Sequence, residues 1–308
     1  MNESPTIQIS YKSIADLNQT ILLHLNKFPH DVDLIVGLPR SGMLPANLIA
    51  LYLNKPYTDI DSFIEGRIYS SGDRTKYIDN TNIHNILVVD DSILNGTALQ
   101  KAKEKIDFLS EKFRIEYAVI YATTQGSQKV DYFCEIIDGF RFFQWNILQH
   151  PFFLANACVD IDGVLCVDPP EDDDGPKYIN YISNAIPLYT PTYEINTLVT
   201  CRLEKYRKIT EEWLANHHIK YKHLVMLDFP TKTERLAWGK HGEYKGNVFK
   251  ESSNLLFIES SLSQAEKIVL ISKKPVFCTE TFTLLNPPTE QKVKQEKSAW
   301  WKKLTELF

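Results

Sequence analysis

The sequence predicts an α/β protein of two domains, each a mainly parallel sheet flanked by helices. Three observations predict it. Short apolar strands alternate with amphipathic helices along the chain, a pattern that builds parallel sheets through crossover helices. Two acidic motifs, Asp90-Asp91 and Asp160-x-Asp162, each follow an apolar strand. The 308 residues suffice for two cores, and 44% hydrophobic with 24% charged residues is average for a globular chain.

In the first half, Asp33–Val36 is a short strand running into Gly37-Leu-Pro-Arg-Ser-Gly42, and a helix follows through Pro45–Leu53. Residues 57–81 are polar, contain Gly66 and Gly72, and read as a loop. Asn85–Val89 is a buried-type strand. Thr97–Leu109 is a helix with Leu99, Ala102, Ile106 and Leu109 on one face, and Glu116–Ala122 is a further strand. The aromatic run 140–153 (FRFFQWNILQHPFF) is expected to pack across or between domains, with the boundary near residue 150. A new series of strands is expected at Ala155–Asp160, Ile195–Thr200, His223–Leu227, Leu255–Glu259 and Lys267–Ile271. Helices near Leu203–Asn216, Glu243–Glu251 and Leu262–Lys267 alternate with them. The expected domains are therefore 1–150 and 151–286, with a charged tail over 287–308.

The formal charge of −5 gives no bulk pull toward nucleic acid. Cys134, Cys158, Cys166, Cys201 and Cys278 match neither a disulfide framework nor a zinc-site spacing, so they are expected to be reduced in a cytoplasmic protein. The opening MNESPTIQIS has no basic flank before an apolar run, so no signal peptide is expected. No apolar run reaches the roughly 18 residues of a membrane span.

The segment Ile86–Ala98 (ILVVDDSILNGTA) carries two carboxylates to the end of an apolar strand, then a short loop with Gly96 and Thr97 opens a helix. Backbone N–H groups at a helix N-terminus hold phosphate, and adjacent carboxylates accept hydrogen bonds from a sugar diol. The run resembles the phosphoribosyl-pyrophosphate (PRPP) signature of type I phosphoribosyltransferases. The resemblance covers roughly residues 10–150 and implies that Asp90 and Asp91 contact the ribose hydroxyls. It also implies that Ser92 to Thr97, including Asn95 and Gly96, cradle the 5-phosphate. Asn95 departs from the Thr or Gly of many members. Arg40, Ser41 and Gly42 fall in the family's pyrophosphate loop, where Arg40 would bind by charge-assisted bonds. Loop 57–81 falls where that family keeps a mobile lid, so Arg67, Arg74 or Lys76 would close over pyrophosphate. Without the resemblance, the Asp pair reads as a helix cap or a solvated acidic pair.

In Val159–Leu165 (VDIDGVL) two carboxylates alternate beyond a strand, so side chains and one peptide carbonyl can converge on a cation and a phosphate. Asp160 is the candidate nucleophile and Asp162 the candidate acid–base; Gly163 permits a sharp turn. This resembles the first motif of the haloacid-dehalogenase (HAD) phosphatases. The resemblance implies that Thr200 contacts phosphate, that Lys245 (with Lys240 and Lys250 as rivals) is the conserved-type lysine, and that Asp160, Asp162 and Glu259 hold Mg²⁺. Where many members have two acids, this chain has Glu259-Ser260-Ser261. Only 37 residues separate Asp162 from Thr200 and 44 separate Thr200 from Lys245, too few for a full cap domain. A site with a small cap suits a bulky substrate or uses a neighbouring domain as its lid.

Together the motifs resemble bacterial glycan phosphoribosyltransferase and phosphoribosyl-phosphatase pairs. That resemblance implies transfer of 5-phosphoribose from PRPP to a sugar hydroxyl of a lipid-linked or growing glycan acceptor, then removal of the 5-phosphate to leave ribofuranose in a surface polysaccharide. Two rival readings stay open. One is base salvage, with a nucleobase acceptor followed by nucleotide dephosphorylation; the other is a PRPP-sensing regulatory domain beside a phosphatase. His150 and Trp145 read as packing residues. In the tail, Trp300, Trp301, Leu304, Leu307 and Phe308 fall largely on one helical face, which suits packing, a partner, or a peripheral contact at the inner face of the membrane.

Overall fold

The computed structural model describes residues 9–69, 82–170 and 174–288. The chain divides into two compact units, Ser10–Trp145 and a second beginning at Asn146. Among the described residues, no helix is long and apolar enough to cross a membrane.

The N-terminal unit runs β1 (Ile9–Lys12), α1 (Ile14–His24), β2 (Leu34–Gly37), α2 (Met43–Leu53), β3 (Tyr57–Asp59), α3 (Ile60–Ile64), β4 (Asn85–Ile93), α4 (Thr97–Ile106), β5 (Arg114–Ala122), α5 (Thr124–Ser127), β6 (Tyr132–Ile136) and β7 (Phe140–Phe143). Five strands form a parallel sheet in the order β3-β2-β4-β5-β6, and β1 pairs with β7 in a separate ribbon. The apolar runs of β2 and β4 are covered on both faces, as parallel strands require. Leu87 and Val89 enter one core cluster, and Ile86 and Val88 enter the other.

The second unit runs α6 (Pro151–Leu154), β8 (Ala157–Val159), α7 (Pro176–Asn184), β9 (Ile195–Leu203), α8 (Arg207–Asn216), β10 (Tyr221–Leu227), α9 (Lys232–Trp238), α10 (His241–Glu251), β11 (Leu256–Glu259), α11 (Leu262–Ser272), β12 (Val276–Cys278) and β13 (Thr283–Leu285). Its sheet has the order β10-β9-β8-β11-β12-β13, parallel except for the antiparallel β12–β13 pair.

Several expectations are corrected. The strand expected at Lys267–Ile271 is the last part of α11: Ala265, Ile268, Val269 and Ser272 are buried at helical spacing, and Lys273 caps the helix at φ 56°. A run of apolar residues alone does not separate helix from strand. Loop 57–81 contains β3 and α3, with Asp59 as N-cap accepting from the N–H groups of Asp61 and Ser62. The strand expected to end at Val89 continues through the acidic pair to Ile93, pairing Asp90 with Val119 and Ser92 with Tyr121. Thr200 likewise lies inside β9, which runs on to Leu203. The aromatic run contributes β7, with Phe142 and Phe143 buried.

Candidate active sites

In both sheets the strand order reverses beside one strand. The N-terminal unit goes from β2 outward to β3, then returns to β4 on the other side of β2; the second unit goes from β8 to β9 and β10, then returns to β11 beside β8. At such a switch point the crossovers leave in opposite directions, opening a crevice at the C-terminal ends of the strands. Every acidic motif residue lies at one of these two crevices.

In the N-terminal unit the loop after β2 meets the end of β4. The Leu38 N–H donates to the Val89 carbonyl at 2.9 Å. Gly42 lies so close that an added Cβ would stand 2.7 Å from the Val89 oxygen and 2.8 Å from Asp90 Cα. The loop after β2 thus abuts the acidic pair only because residue 42 lacks a side chain. Arg40 is exposed and Ser41 half-buried.

Asp90 and Asp91 are consecutive in a strand, so their side chains leave opposite faces. Asp91 is buried and accepts from the Trp145 indole N–H at 2.7 Å. Trp145 stacks on Phe143 with ring centroids 4.7 Å apart, and Phe143 stacks on Tyr121. Asp90 accepts from the Asp91 N–H at 2.8 Å. Burial first, and then the neighbouring Asp91 charge, push the Asp90 carboxyl up to about 8. A carboxyl so strained in its ionised form is suited to a cation or to hydroxyl donors.

Ser92 lies within β4, and the loop between β4 and α4 spans Leu94–Gly96. The Asn95 carboxamide oxygen accepts from the Thr97 N–H at 3.1 Å and from its hydroxyl at 3.0 Å. Those are donors a phosphate would use. Lys129 donates to the Asn95 carbonyl at 2.6 Å, a cation beside the loop that its sequence distance concealed. Arg67 is exposed and paired with Glu65 at 2.6 Å. Arg74 and Lys76 lie outside the described residues.

In the second unit Asp160 follows β8 and Glu259 ends β11. Lys245, from α10, bridges them: its Nζ donates to Asp160 Oδ2 at 2.6 Å and to Glu259 Oε2 at 2.8 Å. Lys240 and Lys250 are exposed, whereas Lys245 is buried. Burial opposes the Lys245 charge, but the two carboxylates outweigh it and hold the ammonium well above its usual range. One ammonium cannot neutralise two buried carboxylates. Burial, with Glu259 adding to it against Lys245, accordingly raises Asp160.

Asp162 has a different environment. Arg202, fully buried at the end of β9, donates from Nε and Nη2 to its carboxylate at 3.0 and 2.7 Å. The Tyr181 hydroxyl donates to it at 2.8 Å. Burial works against the Asp162 charge, and Arg202 and Tyr181 more than offset it, leaving the carboxyl below its usual range. Asp162 is therefore a stronger acid and a weaker base than a free carboxyl. Its backbone carbonyl accepts from the Ser260 hydroxyl at 3.2 Å. Gly163 turns at φ 75°, and an added Cβ would meet Ser260 Oγ at 2.3 Å. Thr200 is buried and accepts from the Arg202 N–H at 3.1 Å.

Asp160, Asp162, Thr200, Lys245 and Ser260 open into a cavity of about 620 Å³, whose lining also includes Asp168, Tyr178, Leu188, Tyr189, Arg235, His241, Gln264 and Glu280. Asp168, Arg202 and Arg235 escape the sequence reading. Asp168 sits in an acidic, Pro-containing stretch, Arg202 lies two residues past Thr200 in β9, and Arg235 lies in α9, which carries no motif. Burial first, then Asp162 and Glu259, raise the Asp168 carboxyl. Arg235 donates to the Cys201 carbonyl at 3.0 Å.

The lining holds four carboxylates, Asp160, Asp162, Asp168 and Glu280, against two cations, Arg235 and Lys245. Hard oxygen donors with excess negative charge fit Mg²⁺. Among the described residues, no three His, Cys, Asp or Glu side chains converge at metal-ligand spacing.

No protein-family model and no curated protein matches the chain. Among solved structures, it is similar to a Helicobacter pylori xanthine-guanine-hypoxanthine phosphoribosyltransferase, with 16% identity, 46% of this chain and 94% of that one covered, and a TM-score of 0.36. A purine phosphoribosyltransferase from Pyrococcus horikoshii gives 19% identity, 45% and 94% coverage, and a TM-score of 0.34. Orotate phosphoribosyltransferase from Aeropyrum pernix gives 16% identity, 40% and 70% coverage, and a TM-score of 0.30. Each likeness spans less than half of this chain.

Proposed function

We propose that the chain is a two-site enzyme. The N-terminal unit transfers 5-phosphoribose from PRPP to a glycan hydroxyl and releases pyrophosphate. The second unit hydrolyses the 5-phosphate, leaving a ribofuranosyl residue for a surface polysaccharide. The observation that carries this reading is the coincidence of both motif sets with the two switch-point crevices. The glycan acceptor follows from the resemblance of the combined motifs. The size of the second cavity, about 620 Å³, supports a substrate larger than a simple phosphate.

In the first step Arg40 and the backbone of Ser41 and Gly42 receive the pyrophosphate, and Asp90 and Asp91 hold the ribose hydroxyls. The acceptor oxygen bonds to the anomeric carbon as the bond from that carbon to the pyrophosphate oxygen breaks, and the acceptor proton passes to the leaving pyrophosphate. In the second step an Asp160 oxygen bonds to phosphorus as the ester bond to the ribosyl oxygen breaks. Lys245 orients that carboxylate and Thr200 meets the phosphate. Asp162, held ionised by Arg202, relays a proton from solvent to the departing alkoxide. Water then cleaves the aspartyl-phosphate, and Asp162 takes up its proton and returns it to solvent. Asp160, Asp162 and Glu259 would hold Mg²⁺, which would supply charge neutralisation of the phosphate.

The test is incubation with PRPP, Mg²⁺ and candidate glycan acceptors, followed by phosphorus NMR. Wild type is expected to release pyrophosphate and phosphate. Asp160→Asn is expected to release pyrophosphate and accumulate a phosphoribosylated acceptor. Pyrophosphate release with nucleobases alone would transfer the assignment to base salvage. PRPP binding without pyrophosphate release from any acceptor would favour a sensing domain.

A further inference from the structure

The loop that joins β4 to α4 is tied down by its carbonyl groups. Three consecutive carbonyls each accept from a different side chain. Arg141, on β7, donates from Nη2 to the Ile93 carbonyl at 2.7 Å and from Nη1 to the Ile137 carbonyl at 3.0 Å. The Thr123 hydroxyl donates to the Leu94 carbonyl at 2.8 Å, and Lys129 Nζ donates to the Asn95 carbonyl at 2.6 Å. All three donors belong to the chain that follows β5, and β5 flanks β4 on the side away from β2. Two glycines let that chain close in. An added Cβ on Gly126 would meet Ile93 Cγ2 at 2.8 Å and the Ile93 oxygen at 3.1 Å, and one on Gly96 would meet Lys129 Cδ at 2.8 Å.

A trans peptide is planar, and its N–H points opposite to its C=O. The peptides of this loop are trans. Holding the Ile93, Leu94 and Asn95 carbonyls therefore fixes the direction of the N–H groups that follow them, those of Leu94, Asn95 and Gly96. Turned away from the β5 side, these N–H groups face the crevice between β2 and β4. None of the three donates to another group among the described residues. Gly96 sits at φ 82°, and a left-handed residue in such a turn gathers successive N–H groups into an anion-binding concavity.

We infer that Thr123, Lys129 and Arg141 are positioning residues for the 5-phosphate of PRPP. They act through the loop, by aiming the Leu94, Asn95 and Gly96 N–H groups at the phosphate before it arrives. A loop held in its binding shape meets less ordering cost when the ligand binds. The inference rests on the PRPP reading above and assigns to three further residues the preorganisation of its phosphate loop.

The test is isothermal titration calorimetry on the full chain carrying Asp160→Asn, which protects the ligands from hydrolysis. The ligands are PRPP and ribofuranose 1-pyrophosphate, which lacks only the 5-phosphate. The binding event counted is the one that Gly42→Val removes. The Kd of the second ligand divided by that of PRPP isolates the 5-phosphate. Lys129→Met keeps the stem over Gly96 and deletes the donor, and it is expected to lower this ratio about tenfold, the worth of one well-placed hydrogen bond. The fall should persist in about 1 M NaCl, where attraction between a separated ammonium and phosphate is screened. A fall that vanishes in that salt means that Lys129 acts by charge alone, and overturns the positioning role. Thr123→Val removes a hydroxyl without changing the charge and should lower the same ratio, and Thr123→Ser should restore it. If Thr123→Val fails to fold, Lys129→Met and its salt response decide alone. A merely structural role would weaken both ligands alike. An unmoved ratio in a chain that binds PRPP therefore overturns the positioning role and leaves the PRPP reading intact. Absence of PRPP binding before these substitutions overturns that reading and the inference with it.

Discussion

At the scale of single residues, each acidic motif places two carboxyls in unequal environments. Asp91 is tied to Trp145, while Asp90 is raised to about 8 by burial and by Asp91. The sign of the pH effect follows. A carboxyl with a raised pKa in the folded state binds a proton more tightly there than when unfolded. Its contribution to stability is therefore highest at low pH and is lost as pH rises from about 4 toward 8. Asp90→Asn should remove that loss. Its Tm relative to wild type should rise between pH 5 and pH 8 and then level off. A Tm difference that is constant with pH would show that Asp90 ionises normally.

At the scale of elements, close approach decides how the second site is held. Lys245 reaches Asp160 and Glu259 only because α10 lies tightly against α11. An added Cβ on Gly246 would meet Ile271 Cβ at 3.0 Å, and one on Gly242 would meet Lys267 Cβ at 3.1 Å. Gly246→Val should push α10 away, destabilising the fold by about 1–3 kcal/mol in urea titration and weakening phosphate release. Unchanged stability would mean that the helices have room to spare. Lys267–Ile271 misleads as a strand because exposed Leu270 is itself apolar beside buried Ile268 and Val269, so the sequence run looks continuously apolar. The extension of β4 through Ser92 is also an element-scale fact. Pairing with β5 continues regardless of the charge at residues 90 and 91.

At the scale of the whole molecule, the two sites should be separable by substitution. Gly42→Val would force the pyrophosphate loop off β4 and abolish pyrophosphate release, while phosphate release from added ribose 5-phosphate persists. Asp160→Asn should do the reverse. Loss of both activities in either variant, with both proteins folded by circular dichroism, would contradict two independent centres.

The sequence by itself determined the α/β class, the two motif-bearing halves, and the identity of Asp90, Asp91, Asp160, Asp162, Lys245 and Glu259 as candidate site residues. It could do so because each acidic motif is local, an apolar strand followed at once by its carboxyls. Tertiary structure alone decided what those carboxyls touch. Trp145 lies 54 residues from Asp91, Arg202 lies 40 from Asp162, and Lys245 lies 85 from Asp160. Long-range pairings of this kind leave no periodic trace, because they depend on which strands become neighbours and not on local spacing. Asp168, Tyr189 and Gln264 were illegible for the same reason: nothing in their own segments marks them, and only the folding of three separate stretches around one strand end makes them walls of a single cavity.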